Sequence, residues 1–257
     1  MMNSHFPKLA IESVDFQRTA LFLDVDGTML DIAATPESVV VPEGLAETIG
    51  RLERALGGAL AIVTGRTLAD LDRLFFPLRT RAAGVHGAEM RFDPACATRE
   101  APAVARLSAE LWREFVTAAG AFPGVLIEDK LYSFTVHYRA APECAPALRA
   151  ALLRLVAAHT EIDLQVLDAR CAFELKPRSF DKGEAVRRFL ARPPFLGRRP
   201  IFVGDDVSDE YGFRFVAGHL GVAFAVGMAR EAADDVFADP ASVRSWLERL
   251  AAEPAAT

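Results

Sequence analysis

Asp24 and Asp26, one residue apart in "LFLDVDGTML", follow directly on the apolar run Leu21, Phe22 and Leu23, and Gly27 comes straight after them. Such a run reads as a short buried strand, so both carboxylates are delivered where a core strand ends, poorly hydrated and repelling each other. The arrangement recurs about 180 residues later, where "FVGDDVSDE" ends an apolar strand in Asp205 and Asp206 and Asp209 opens the next helix. In an open parallel sheet, ligands bind beyond the carboxyl ends of the strands. If these two strands are neighbours, Asp24, Asp26 and Asp205 converge. Two like charges about 4 Å apart repel by roughly 4 kcal/mol at an effective dielectric near 20, so the cluster demands a cation. An all-oxygen donor set without histidine or cysteine at ligand spacing suits Mg²⁺.

A carboxylate pair of this kind supplies both roles that phosphoryl transfer needs. Asp24, beside the cation, can attack phosphorus, while Asp26 can protonate the leaving oxygen and then take a proton from the water that releases phosphate. The group in flight carries negative charge on its equatorial oxygens and needs donors around it. "IVTGR" offers Thr64 at another strand end, and Lys182 stands at a helix start in "DKGEAVRRFL".

The elements that must position these groups are legible in the pattern. "PEGLAETIGRLERALGG" predicts a helix with Leu45, Ile49, Leu52 and Leu56 on one stripe, "ALAIV" a second buried strand, and the stretch after "TGR" a short helix with Leu68, Leu71 and Leu74 inward. "RAAGVHG" reads as a third strand, "RPIFVGDD" as a fourth and "GVAFAV" as a fifth; "SVRSWLERL" closes the chain with Val243, Trp246, Leu247 and Leu250 on one face. Apolar rather than alternating strands interleaved with helices imply an α/β fold, a parallel sheet covered on both faces. Between about residues 92 and 176 the pattern changes to helix, two strands, helix, two strands, with "GVLIE", "LYSFTVHYR" and "IDLQVLDARCAFELKP" as strands and a turn at Asp168, Ala169 and Arg170. We expect a core of residues 1–91 and 177–257 interrupted by an inserted α+β domain at 92–176.

The 257 residues are 51% hydrophobic and 25% charged, enough for one large or two modest domains, and the net charge of −6 argues against a broad nucleic-acid footprint or an anionic membrane surface. Cys96, Cys144 and Cys171 have no paired or Cys-x-x-Cys spacing, which fits a reducing compartment. The N-terminus lacks the basic start and apolar run of a signal peptide, and no stretch of about 18 apolar residues follows, so the expected location is the cytoplasm. The tail "AAEPAAT" is expected to fray. The sequence leaves the oligomeric state open, a monomer being compatible with it.

"DVDGT", a threonine after a second strand, a lysine at a helix start and "GDDVSD", in that order, resemble the four motifs of the haloacid dehalogenase superfamily of aspartate-nucleophile phosphatases, and the insert resembles its type IIB cap. More narrowly, "LFLDVDGT", "TGR", "AGVHGAE", "HYR", "ELKPRSFDKGEA" and "FVGDDVSDE" are similar to the trehalose-6-phosphate phosphatases. The resemblance implies a Rossmann-like core with Asp24 as nucleophile, Asp26 as acid/base, and Thr64 and Lys182 as phosphate holders. It implies Mg²⁺ held by Asp24, Asp205 and the Asp26 carbonyl, with Asp206 and Asp209 close by on metal-bound waters or on Lys182. From the cap, Glu128, Lys130 and Glu174 match positions that reach sugar hydroxyls, and Arg66, His86, Lys176 and Arg178 are further candidates. The substrate so implied is the small molecule trehalose 6-phosphate, with no nucleic-acid or membrane partner. The rival readings are a phosphatase for another sugar phosphate, such as sucrose phosphate or a monosaccharide phosphate, and a non-catalytic sugar-phosphate sensor. Roles for Asp129 and His137 do not follow from the sequence.

Overall fold

The structure, a computed structural model, describes residues 14–33, 38–95, 106–169 and 171–252. Cys96, Arg170 of the expected turn, the start of the chain and all but the first two residues of the tail lie outside the described residues. Strands in chain order are β1 (Thr19–Leu23), β2 (Leu60–Val63), β3 (Arg81–Gly84), β4 (Glu89–Arg91), β5 (Leu126–Asp129), β6 (Phe134–His137), β7 (Leu164–Ala169), β8 (Ala172–Pro177), β9 (Arg199–Gly204), β10 (Val222–Val226) and β11 (Asp235–Phe237). The helices are α1 (Leu45–Ala55), α2 (Leu68–Leu74), α3 (Ala109–Gly120), α4 (Ala145–Ala158), α5 (Lys182–Leu190), α6 (Asp209–Ala217) and α7 (Pro240–Ala252). They form two units, Met1–Glu100 with Asp181–Thr257, and Ala101–Phe180.

In the first unit a seven-stranded sheet runs β11-β10-β9-β1-β2-β3-β4. All neighbours pair in parallel except β3 with β4. The central strands are buried on both faces, which is why they are continuous apolar runs. Leu23 lies opposite Ile62 of β2 and Val203 of β9, so β1, β2 and β9 end level with one another. The final helix buries the expected Val243, Trp246, Leu247 and Leu250.

Three differences from the sequence pattern have local causes. The "RAAGVHG" run is strand only to Gly84; Val85–Gly87 is a 3₁₀ turn with Val85 and His86 at φ 45° and 54°. Here the Val85 and His86 amides donate to the Arg66 and Thr64 carbonyls, which draws the chain off the ladder and around the end of β2. The edge strands β4 and β11, three residues each, are too short to carry a period. In "LYSFTVHYR" only Phe134–His137 is strand, because the Asp129 carboxylate accepts from the Leu131 amide at 2.7 Å and holds Leu131 in a turn at φ 69°. That assigns Asp129 a structural role.

The second unit is an antiparallel sheet of order β5-β6-β8-β7. Phe134, Val136, Phe173 and Leu175 share one face and form a separate core with Leu111 and Phe115 of α3 and Leu148, Leu152 and Leu155 of α4. The opposite face carries Glu128, Thr135, His137, Glu174 and Lys176, since directly paired residues in a sheet share a face. This is a mostly parallel core sheet with an inserted α+β cap. Among the described residues no helix is long and apolar enough to cross a membrane.

Candidate active site

At the carboxyl end of β1, Asp24 is buried, and both its oxygens are engaged. One accepts from Lys182 Nζ at 2.8 Å, and the other from Thr28 Oγ1 at 3.1 Å. Lys182 opens α5, whose N-cap is the Asp181 side chain. Its ammonium also donates to Asp209 Oδ1 at 2.6 Å, while Asp209 Oδ2 accepts from the amides of Asp206 and Asp205 at 3.0 and 3.2 Å. Asp209 therefore ties the lysine to the loop after β9. Burial opposes the charge on Lys182, but Asp209 and Asp24 outweigh it and raise its pKa.

Asp24, Asp205 and Asp209 each offer a carboxylate oxygen within 4.8 Å of the others. Three carboxylates face one ammonium, and the surplus negative charge shows in their titration. Burial, then the charges of Asp24, Asp209 and Asp206, push Asp205 up to about 9. Burial raises Asp209 to about 7 against the pull of Lys182, and it raises Asp24 as well. A hard divalent cation fits this all-oxygen, negatively charged set, and these residues can hold one. Two glycines permit the approach: a Cβ on Gly27, at φ 79°, would lie 2.0 Å from Asp205 Oδ2, and one on Gly204 would lie 2.2 Å from Asp209 Cγ.

Asp26 turns elsewhere. Its carboxylate receives both arms of Arg66, Nε at 2.6 Å and Nη2 at 2.7 Å, the bidentate geometry that orients a carboxylate most tightly. Thr64, at the end of β2, is buried, and its Oγ1 accepts from the Arg66 amide at 3.1 Å. The ring of His86 packs over Gly65, where a Cβ would meet it at 2.9 Å. Asp206 caps its own loop at the Val207 amide and lies 3.9 Å from Arg230.

Of the residues expected to read a sugar, Glu128 accepts a hydrogen bond through Oε2 from His137 Nε2 at 3.0 Å. Burial works against the Glu128 carboxylate, yet the His137 hydrogen bond and the nearby Lys130 charge hold its pKa below the usual value. Glu174 is buried and sits on the same face, one strand beyond Thr135. Lys176 is buried too, but its ammonium turns to the carbonyls of Pro177 and Phe180. Arg178 pairs with Asp163 at 3.1 Å and reaches Gln165 at 3.4 Å. Sequence reasoning missed Thr28, although its position four residues after Asp24 in a glycine turn was the available signal, and it missed the pairing of Arg66 with Asp26.

A mostly parallel sheet whose adjoining strands end in Asp24 and Asp205, a helix-opening lysine bound to the first of these, and an α+β insert define a hydrolase of the haloacid dehalogenase superfamily. The trehalose-phosphatase family model matches residues 22–248, and the chain belongs to that family. It is 43% identical over 222 residues to a probable trehalose-phosphate phosphatase of Sinorhizobium fredii, covering 85% of this chain and 82% of that one. It is 36% identical over 231 residues to the trehalose-6-phosphate phosphatase of Escherichia coli, covering 90% and 86%. The solved C-terminal domain of the C. albicans trehalose-6-phosphate phosphatase shares the fold, with a TM-score of 0.81 at 22% identity, over 91% of this chain and 93% of that one.

Proposed function

We propose that this chain hydrolyses trehalose 6-phosphate to trehalose and phosphate through an aspartyl phosphate on Asp24, with Mg²⁺ as the cation and the cytoplasm as its location. The observation that carries the reading is Asp24 itself, held at the end of a central strand by Lys182 and Thr28 beside two further carboxylates, in a chain of the trehalose-phosphatase family. Mg²⁺ is preferred because it takes oxygen donors in a tight octahedron while keeping waters, and when bound it would offset the carboxylate charge and draw charge from the phosphoryl oxygens.

One Asp24 oxygen attacks phosphorus in line with the ester bond. The P–O bond to the sugar breaks, its electron pair stays on the sugar oxygen, and Asp26 supplies the proton that makes the hydroxyl. Water then attacks the phosphorus of the aspartyl phosphate, Asp26 takes its proton, and Asp24 leaves as the carboxylate. Lys182 and the Thr64 hydroxyl stabilise the equatorial oxygens throughout, and the Arg66 fork, which holds both Asp26 oxygens in the resting site, releases one of them for the proton. On the face of the second sheet away from α3 and α4, Glu128, Lys130 and Glu174 are the sugar contacts in this reading. Lys176, beside the carbonyls of Pro177 and Phe180, and Arg178, paired with Asp163, are further candidates for the sugar in this reading.

The test is a panel of phosphorylated sugars assayed with and without Mg²⁺. Trehalose 6-phosphate should be turned over with the highest kcat/KM, chelation should abolish turnover and Mg²⁺ restore it, while the larger Ca²⁺ should support it poorly. Preference for sucrose phosphate or a monosaccharide phosphate would replace the substrate, and full activity after exhaustive chelation would remove the metal. A second measurement addresses the sugar contacts. Glu128→Ala, Lys130→Ala and Glu174→Ala should each lower kcat/KM for trehalose 6-phosphate by roughly 10- to 150-fold, the loss of a charged hydrogen bond, and spare a small aryl phosphate. Equal losses on both substrates would return these residues to folding.

A further inference from the structure

Thr135 lies at the centre of a row across the cap sheet. It is paired directly with Glu128 of β5 on one side and with Glu174 of β8 on the other, so the three side chains stand side by side on the face away from α3 and α4. Its hydroxyl is buried, with 3% of the residue exposed, and has no hydrogen-bond partner among the described residues. Buried hydroxyls nearly always have partners, because withdrawal from water without one is unfavourable. A threonine in mid-strand is also easily replaced in shape by valine, which would bury the same volume without that penalty. Ser133, two residues earlier on the same face and fully buried, is in the same condition. The unusual feature is therefore a hydroxyl kept between two carboxylates where packing alone favours a methyl group.

We propose that Thr135 is a further specificity-determining residue, whose hydroxyl hydrogen-bonds a sugar hydroxyl of the substrate between Glu128 and Glu174. A carboxylate can only accept a hydrogen bond, whereas a threonine hydroxyl both donates and accepts. Thr135 thus adds the donor that a row of two acidic side chains lacks, and lets the row engage a ligand oxygen as well as ligand O–H groups. The opposite face of β6, with Phe134 and Val136 in the apolar core, has no such capacity. This inference rests on the sugar-phosphatase reading above, with the cap sheet as the surface that meets the sugar.

The experiment compares Thr135→Val and Thr135→Ser with the parent enzyme on trehalose 6-phosphate and on a small aryl phosphate, together with inhibition by trehalose and the thermal midpoint. Thr135→Val should lose about 5- to 30-fold in kcat/KM on trehalose 6-phosphate and weaken trehalose inhibition similarly, because a buried sugar hydroxyl is left unpaired. It should keep its aryl phosphatase activity, and its thermal midpoint should stay level or rise. Thr135→Ser, which keeps the hydroxyl, should recover most of the sugar efficiency. Loss on both substrates with a lower midpoint would make Thr135 a packing residue and overturn the proposal; so would a Thr135→Val enzyme with unchanged preference. Failure of the parent itself to hydrolyse trehalose 6-phosphate would instead overturn the underlying functional reading, so the two failures are separable.

Discussion

Asp24→Asn should yield a folded protein whose turnover of trehalose 6-phosphate falls by on the order of 10⁴- to 10⁶-fold, the range seen when a nucleophile is removed from a site whose groups act together. The size of the loss follows from the geometry. Asparagine keeps the volume and an oxygen to meet Thr28 or Lys182, but its amide cannot displace a phosphoryl leaving group. Lys182 remains paired with Asp209, so the fold is not left with an unmatched ammonium. Removing one of three clustered carboxylates even relieves repulsion felt by Asp205, whose titration Asp24 pushes upward. Rapid acid quench with labelled substrate checks the assignment, since the parent should trap a covalent phosphoryl group and the variant none. Near-parental turnover by Asp24→Asn would require a different nucleophile.

Lys182→Met is expected to damage stability as well as rate. The ammonium lies between Asp24 and Asp209, and both carboxylates are buried. Deleting one partner of a buried ionic group leaves the others uncompensated, at a cost of about 3–5 kcal/mol. Lys182 has its pKa raised in the folded state, so its contribution is fully present below the ordinary value of 10.5, across the whole working range. The remaining groups set the pH dependence. Asp205 and Asp209 are raised from 3.8 to about 9 and about 7, so between these limits the folded state holds protons that the unfolded state has released. Metal-free stability therefore falls as pH rises from about 4 through those values, and the fall should be steeper in Lys182→Met, which no longer holds its carboxylates in the charged form. Urea denaturation at pH 5 and pH 8 should show a larger difference from the parent at pH 8, with Mg²⁺ recovering part of it. Turnover should fall by at least about 10³-fold, through loss of a donor to the equatorial oxygens. A Lys182→Met protein with the parental urea midpoint at pH 8 would show that the ion triad does not support the fold.

Much of this site is legible in the sequence. Local rules carry it: an apolar run predicts the strand, and a carboxylate after the run must stand at the strand end, as Asp24 and Asp205 do. The helix, strand, strand order of the insert was equally plain, since its strands and helices have their own cores and periods. Even the site's fitness for a cation follows from charge repulsion among aspartates brought to one end of a sheet, once β1 and β9 are neighbours.

Partner choice was decided by the tertiary structure. Lys182 is 158 residues from Asp24 and 27 from Asp209, and Arg66 is 40 from Asp26, so nothing in the spacing could say which carboxylate each cation would take. Those pairings depend on which strands end level, on glycines such as Gly27 that let Asp205 close in, and on competition among several donors for a few buried oxygens. The same competition joins Lys176 to the carbonyls of Pro177 and Phe180, and gives His137 to Glu128. Sequence alone thus determined which chemical groups this protein brings to the ends of its strands, because apolar period and chain direction are local properties. Their bonding was settled only in the folded chain, because a buried polar atom must find its partner among whatever groups the packing leaves within about 3 Å.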